Sequence, residues 1–281
     1  MFVVGVAVLL GTLTNPKVDS IKVETTAGPV IGRSEDNFDA FLGLPYAQPP
    51  VRFAPAILHD KAWTVPRDAT TYGAPCFQTP EPFEHPQSTP TVPDASEDCL
   101  FVNVWRPKAL PKDAKLPVLV WVHGGGFVAG AGSVKWYEGG GLAARNDVVV
   151  VNLNYRLGPL GFLASPLFAK YGGNGGMNGI NDQITALEWV QQHIASFGGD
   201  PTQVTVMGES SGGISVCLLN TAPRAKGLFS RAIIQSGPWC AAPASLYPLR
   251  LRVPPSAFVC LLPPWFLLSA SVRLHLQTRL S

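Results

Sequence analysis

The sequence predicts an α/β fold, a mostly parallel β-sheet with helices on both faces. Three observations lead there. Apolar runs of strand length alternate with helix-like runs between Leu116 and Gln235, and such alternation is the pattern of crossover connections. Glycine clusters close two of the apolar runs, at His123-Gly124-Gly125-Gly126 and Gly208-Glu209-Ser210-Ser211-Gly212. The length of 281 residues is enough for one large domain with a sizeable core.

In chain order, Ile21-Lys22-Val23-Glu24 and Gly28-Pro29-Val30-Ile31-Gly32 read as short strands joined by a turn. Residues 74–96 form a proline-rich loop flanked by two cysteines. Leu116 to Val122 and Asp147 to Tyr155 read as buried strands, because their apolar residues are nearly continuous. Asn181 to Phe197 predicts an amphipathic helix, with Ile184, Leu187, Val190 and Ile194 at helical spacing and Gly198-Gly199 as its stop. His193 sits on this predicted surface helix. Gln203 to Met207 is the next strand, Gly213 to Leu219 a helix, and Arg231 to Gln235 a further strand. No internal repeat is present.

The segment Gly208-Glu209-Ser210-Ser211-Gly212 has the form G-x-S-x-G between a strand and a helix. In that context it builds a sharp turn that lifts the serine hydroxyl above the end of a sheet. Glycine is required there because side chains would strike the neighbouring strand and helix. Ser210 is therefore a candidate nucleophile. Upstream, His123-Gly124-Gly125-Gly126-Phe127 follows the Leu116–Val122 strand. Consecutive glycines let bare backbone N–H groups approach a developing oxyanion, and one such donor contributes about 2.7–4 kcal/mol to the transition state. The two motifs, in this order, point to acyl transfer.

With those residues in view, the chain resembles the type-B carboxylesterases, a cholinesterase-like family of α/β-hydrolase fold. The resemblance runs from about Val23 to Pro238. It is carried by Phe41-Leu42-Gly43-Leu44-Pro45-Tyr46-Ala47, Glu97-Asp98-Cys99-Leu100-Phe101-Val102-Asn103-Val104 and Asn154-Tyr155-Arg156-Leu157-Gly158. Asp182-Gln183, Ala186-Leu187-Glu188-Trp189-Val190 and Phe197-Gly198-Gly199-Asp200-Pro201 continue it. It implies Ser210 as nucleophile, with the N–H groups of Gly125, Gly126 and Ser211 as the oxyanion hole. It also implies a disulfide between Cys76 and Cys99, a small-molecule carboxylic ester as substrate, and no metal or organic cofactor. Two departures stand out: the residue after the nucleophile is Ser211 where the family usually has Ala, and Pro49-Pro50-Val51-Arg52-Phe53 is a few residues short. Family members are about twice as long as this chain, so the expectation is the N-terminal part of the fold, ending after the elbow region.

Charge marks where the resemblance stops. All 19 acidic residues lie at or before Glu209, and the 72 residues from Ser210 onward hold 7 Lys or Arg and no acid. A hydrolase of this type needs an acid and then a histidine downstream of the serine. No triad acid is identified, and the one downstream histidine, His275, lies in a segment unlike the family. His59, His85, His123 and His193 come too early and read as structural or solvated. The expected behaviour is ester hydrolase ancestry with very weak activity of this polypeptide alone. Two alternatives remain: a catalytically silent binding or adhesion protein of the same fold, and a shorter lipase of the hormone-sensitive type. That lipase type also needs the missing acid and histidine. Specific acetylcholine hydrolysis is disfavoured because residues 77–98 contain no Trp to stack on choline. The basic tail carries no recognised nucleic-acid motif.

Residues 1–16 are a candidate signal peptide, apolar up to Leu13 but without a basic n-region. With the cysteine pair, they favour a secretory or extracellular location. Cys217 reads as buried on the helix after the elbow. Residues 17–238 are assigned to the hydrolase domain. Residues 239–281 form a divergent Pro- and Leu-rich tail expected to lie outside the fold, with Cys240 and Cys260 in no assigned state. Val253 to Val272 is uncharged for long enough to span a bilayer, but Pro254-Pro255 and Pro263-Pro264 would break such a helix, and a membrane anchor is disfavoured.

Overall fold

The computed structural model describes residues 19–78, 95–108, 110–167, 176–237 and 258–261. The candidate signal peptide, most of the proline-rich loop with His85, and His275 lie outside the described residues, as do Cys240 and most of the 239–281 tail.

The sheet is built around β-branched runs. Strands β6 (Leu116–Val122) and β7 (Val149–Leu153) lie at its centre, and every residue of β7 is buried. Before them come β1 (Asp19–Thr25), β2 (Gly28–Ser34), β3 (Phe38–Pro45), β4 (Arg67–Asp68) and β5 (Phe101–Pro107). After them come β8 (Gly199–Glu209), β9 (Arg231–Gln235) and β10 (Phe258–Leu261). The order across the sheet is β1-β2-β3-β5-β7-β6-β8-β9-β10, with β4 beside β2. Pairing is antiparallel from β1 to β7 and parallel from β7 to β10. The sheet is thus mixed, with its parallel half carrying the elbow.

Helices cover both faces, as predicted. Helix α1 (Gly140–Asn146) packs Ala143 against Ala40, Leu42, Trp105 and Val150. The short α2 (Gly158–Phe162) follows β7. Helices α3 (Asn178–His193) and α4 (Ser211–Thr221) lie over the larger core, where Ile184, Leu187, Val190 and Val216 meet Val118, Val120, Val151 and Val206. Alternation along β7 explains the division, since Val149, Val151 and Leu153 face α3 and α4 while Val150 faces α1.

Helix α3 corrects one expectation. It ends where predicted, in a 3₁₀ turn at Ile194–Phe197 stopped by Gly198 at φ +84°. Yet it is not a surface helix: it is buried nearly all round, and His193 on it is 6% exposed. Two of the polar residues that made the helix look half-exposed find partners inside. Asp182 pairs with Arg156, and Gln183 donates to the Ser215 hydroxyl at 3.1 Å.

The tail departs from expectation at one place. Phe258–Leu261 pairs in parallel register with Ala232–Gln235 and extends the sheet past β9. Among the described residues no helix is long and apolar enough to cross a membrane.

Candidate active site

Ser210 stands at the carboxyl end of β8, between Glu209 and the first residue of α4. Its backbone has φ 55° and ψ −123°, a conformation that non-glycine residues adopt only when the surroundings impose it. The restraints are local. The Ser210 N–H donates to the Gln235 carbonyl at 2.9 Å, and the Ser210 carbonyl accepts from the Ile214 N–H at 3.0 Å, opening α4. Gly212 is required by close approach, because a Cβ there would lie 2.2 Å from the Val122 carbonyl oxygen.

The loop after β6 lies against this turn. A Cβ placed on Gly124 would sit 3.2 Å from the Ser210 Cβ, so the loop backbone reaches Ser210 only because the side chain is absent. Gly125 and Gly126 have φ of 107° and 61°. The Gly125 carbonyl is turned inward and accepts from the N–H groups of Val128 and Ala129, both at 3.0 Å. The two glycines are exposed, and no described protein group accepts from either N–H. Ser211, 2% exposed, places its N–H in the first turn of α4, where unpaired donors and the helix dipole favour negative charge. Its hydroxyl accepts from the Phe127 N–H at 3.3 Å and ties the glycine loop to the elbow.

Beneath the loop, His123 is buried and its Nδ1–H donates to the Gly124 carbonyl at 2.8 Å. The Tyr155 hydroxyl donates to the His123 carbonyl at 2.9 Å, and the two rings stack at 4.4 Å. Burial lowers the His123 imidazole to about 4, so it stays neutral and structural. Burial also raises the Tyr155 phenol, which keeps it a donor. Downstream, Gly132 is held at both backbone groups. Its N–H donates to Asn154 Oδ1 at 2.8 Å and its carbonyl accepts from Asn152 Nδ2 at 2.9 Å. Asn103 Nδ2 in turn donates to Asn152 Oδ1 at 2.7 Å.

The structure therefore brings Ser210, Ser211, Gly125 and Gly126 to one end of the parallel strands, where sheets of this kind bind ligands. His59 and His193 do not join them. They line a separate cavity of ≈ 320 Å³ with Thr26, Ala27, Asp60 and Gln192, and His193 Nδ1 lies 2.6 Å from the Thr26 hydroxyl. Cys76 and Cys99 form a disulfide. Cys217 is half-buried rather than buried, and is also disulfide-bonded. Among the described residues no group of three His, Cys, Asp or Glu is arranged to hold a metal.

The scaffolding role of Asn152, Asn154 and Tyr155 was not assigned from sequence. The signal was present: Asn152 and Asn154 alternate with apolar residues at the end of an otherwise apolar run, and buried amides need partners.

Comparison with known proteins identifies the family. The chain is 48% identical over 220 residues to para-nitrobenzyl esterase of Bacillus subtilis (strain 168), a match covering 76% of this chain and 43% of the relative. It is 43% identical over 217 residues to fumonisin B1 esterase of Sphingopyxis macrogoltabida, covering 75% of this chain and 39% of that protein. A solved PNB esterase structure superposes with a TM-score of 0.70 at 46% identity, over 77% of this chain and 44% of that one. The chain thus spans about two fifths of the length of these relatives. Residues 19–247 match the carboxylesterase family, and the chain belongs to that family.

Proposed function

We propose that this chain carries the acylation machinery of a serine carboxylic ester hydrolase. The observation that carries the reading is the backbone of Ser210, held at positive φ with the bare Gly124–Gly126 loop against it. Ser210 Oγ attacks the carbonyl carbon of a small-molecule ester. The N–H groups of Gly125, Gly126 and Ser211 stabilise the oxyanion. The alcohol leaves, and water then cleaves the acyl-enzyme. No residue of this chain needs a cofactor for those steps. The Cys76–Cys99 disulfide supports a secretory setting.

The proton on Ser210 needs an acceptor. Among the described histidines, His123 is engaged beneath the loop, and His59 and His193 line the separate cavity. No Asp or Glu follows Ser210. This polypeptide by itself is therefore a very weak esterase, since losing Ser or His from a triad costs about 10⁶-fold in subtilisin. The same observation favours a second reading, a catalytically silent binding protein of this fold. Hydrolysis of a p-nitrophenyl ester separates the two. Slow turnover abolished by Ser210→Ala supports the esterase reading, turnover equal to that of para-nitrobenzyl esterase contradicts the predicted weakness, and turnover indifferent to Ser210→Ala favours silence.

A further inference from the structure

We infer that Gln78 is a positioning residue for the oxyanion loop, and that the Cys76–Cys99 disulfide holds it there. The inference rests on the reading that Gly125 and Gly126 form an anion hole.

Gln78 uses both ends of its side-chain amide on one residue. Its Oε1 accepts from the Gly130 N–H at 3.0 Å, and its Nε2 donates to the Gly130 carbonyl at 3.1 Å. The side chain pairs with Gly130 much as a neighbouring strand would. The same Nε2 donates to the Cys76 carbonyl at 3.1 Å, which fixes the amide against its own backbone. Gly130 lies directly under the glycine loop. A Cβ built on it would meet His123 Nδ1 at 2.4 Å and the Gly124 carbonyl oxygen at 2.8 Å. One residue earlier, the Ala129 carbonyl oxygen lies 2.1 Å from a Cβ built on Gly125. A shift of the 129–130 peptide therefore passes straight into Gly124 and Gly125.

The loop is held from two sides by side-chain amides. Asn152 and Asn154 hold Gly132 from β7 and its C-terminal extension, deep in the sheet. Gln78 holds Gly130 from a loop, two residues after Cys76. That loop is fixed by the disulfide and by a short bridge between Cys76 and Ser96, where the Ser96 N–H donates to the Pro75 carbonyl at 2.9 Å. The Gln78 clamp is thus the redox-sensitive one of the two.

The test uses the full oxidised chain, Gln78→Ala and Gln78→Glu, each with Cys76 and Cys99 intact or both replaced by Ser, because a thiol reductant would also reach the oxidised Cys217. Hydrogen exchange of peptides spanning 124–132 is measured beside the rate at which a fluorophosphonate probe modifies Ser210. Gln78→Ala is expected to speed exchange in 124–132 about tenfold and slow labelling about as much, leaving the β1–β2 hairpin unchanged. Gln78→Glu separates positioning from bulk stability. A carboxylate accepts from the Gly130 N–H but cannot donate to its carbonyl, whereas a protonated carboxyl does both. Its deficit relative to wild type at the same pH is expected to shrink as pH falls through about 4.3, the ordinary Glu range. Cys76→Ser/Cys99→Ser is expected to loosen 124–132 in the wild-type background and to add nothing in Gln78→Ala. Wild-type exchange in Gln78→Ala, or a Cys76→Ser/Cys99→Ser variant in which 124–132 stays as protected as in the oxidised parent, would overturn the clamp. Absence of Ser210 labelling in every form, with the exchange effect intact, would overturn the anion-hole reading instead.

Discussion

The Tyr155 hydroxyl is hydrogen-bonded to the His123 carbonyl at 2.9 Å, and the two rings stack at 4.4 Å with planes 20° apart. His123 is sealed between this ring and Tyr137, whose centroid is 6.4 Å away. An imidazole so enclosed loses water on both faces, which is why its pKa falls to about 4.

That shift has a sign. A histidine lowered in the folded state binds fewer protons there than in the unfolded chain. Its stabilising contribution is complete above about pH 6.5 and is lost as pH falls towards 4, by ~3 kcal/mol in full. His193, also lowered by burial, acts in the same sense. Burial raises Asp182 and Glu209, which act in the opposite sense. The measurement is therefore a difference. Urea midpoints of wild type and His123→Asn, compared between pH 7 and pH 4.5, are expected to converge on acidification. Parallel pH profiles would contradict the account.

Arg156 and Asp182 form a nearly dry, two-pronged ion pair, with Nη2 to Oδ1 at 2.6 Å and Nε to Oδ2 at 2.8 Å. The same arginine donates Nη1 to the Ala54 carbonyl at 2.8 Å, so it joins the early 51–54 loop to α3. Asp182→Ala leaves a buried guanidinium charge unpaired and is expected to cost about 3–5 kcal/mol. Chemical denaturation checks it, and a loss under 1 kcal/mol would show that water or another acceptor replaces the carboxylate.

Gly212→Ala places a methyl carbon 2.2 Å from the Val122 carbonyl oxygen, with the His123 carbonyl oxygen at 2.8 Å. Neither is a flexible side chain, so the elbow itself must shift. The expected result is a loss of about 1–3 kcal/mol, typical of overpacking, together with loss of Ser210 reactivity. Thermal midpoint and probe labelling read the two effects separately.

Reduction of Cys76–Cys99 opens a loop of sequence separation 23, which by chain entropy is worth about 3 kcal/mol. Because Cys217 is also oxidised, the comparison is Cys76→Ser/Cys99→Ser against the oxidised parent. An unchanged denaturation midpoint would mean that the loop stays ordered by its other contacts.

Much of the central sheet was legible because its strands carry continuous apolar runs. The runs Arg231–Gln235 and Leu116–Val122 coincide with β9 and β6. The antiparallel junction between β5 and β7 was not legible, since those strands are far apart in sequence and only β-sheet pairing joins them. The spacing of Ile184, Leu187, Val190 and Ile194 gave α3 its inner face but not its burial. Partners for Asp182 and Gln183 come from Arg156 and Ser215, which no local pattern reveals. Ser210 and the glycine loop were legible because backbone geometry there demands glycine. Gln78 was not, because a lone amide in a polar loop carries no periodic signal.

Ser210 reactivity tests the central claim most directly. The purified chain is treated with a fluorophosphonate probe beside Ser210→Ala, and the modified peptide is mapped. The account predicts slow but specific modification at Ser210, absent from the variant, because the strained turn at Ser210 and the glycine loop proposed to supply oxyanion donors both lie within residues 123–211. A folded protein that takes up no probe, or takes it up equally in Ser210→Ala, would contradict it.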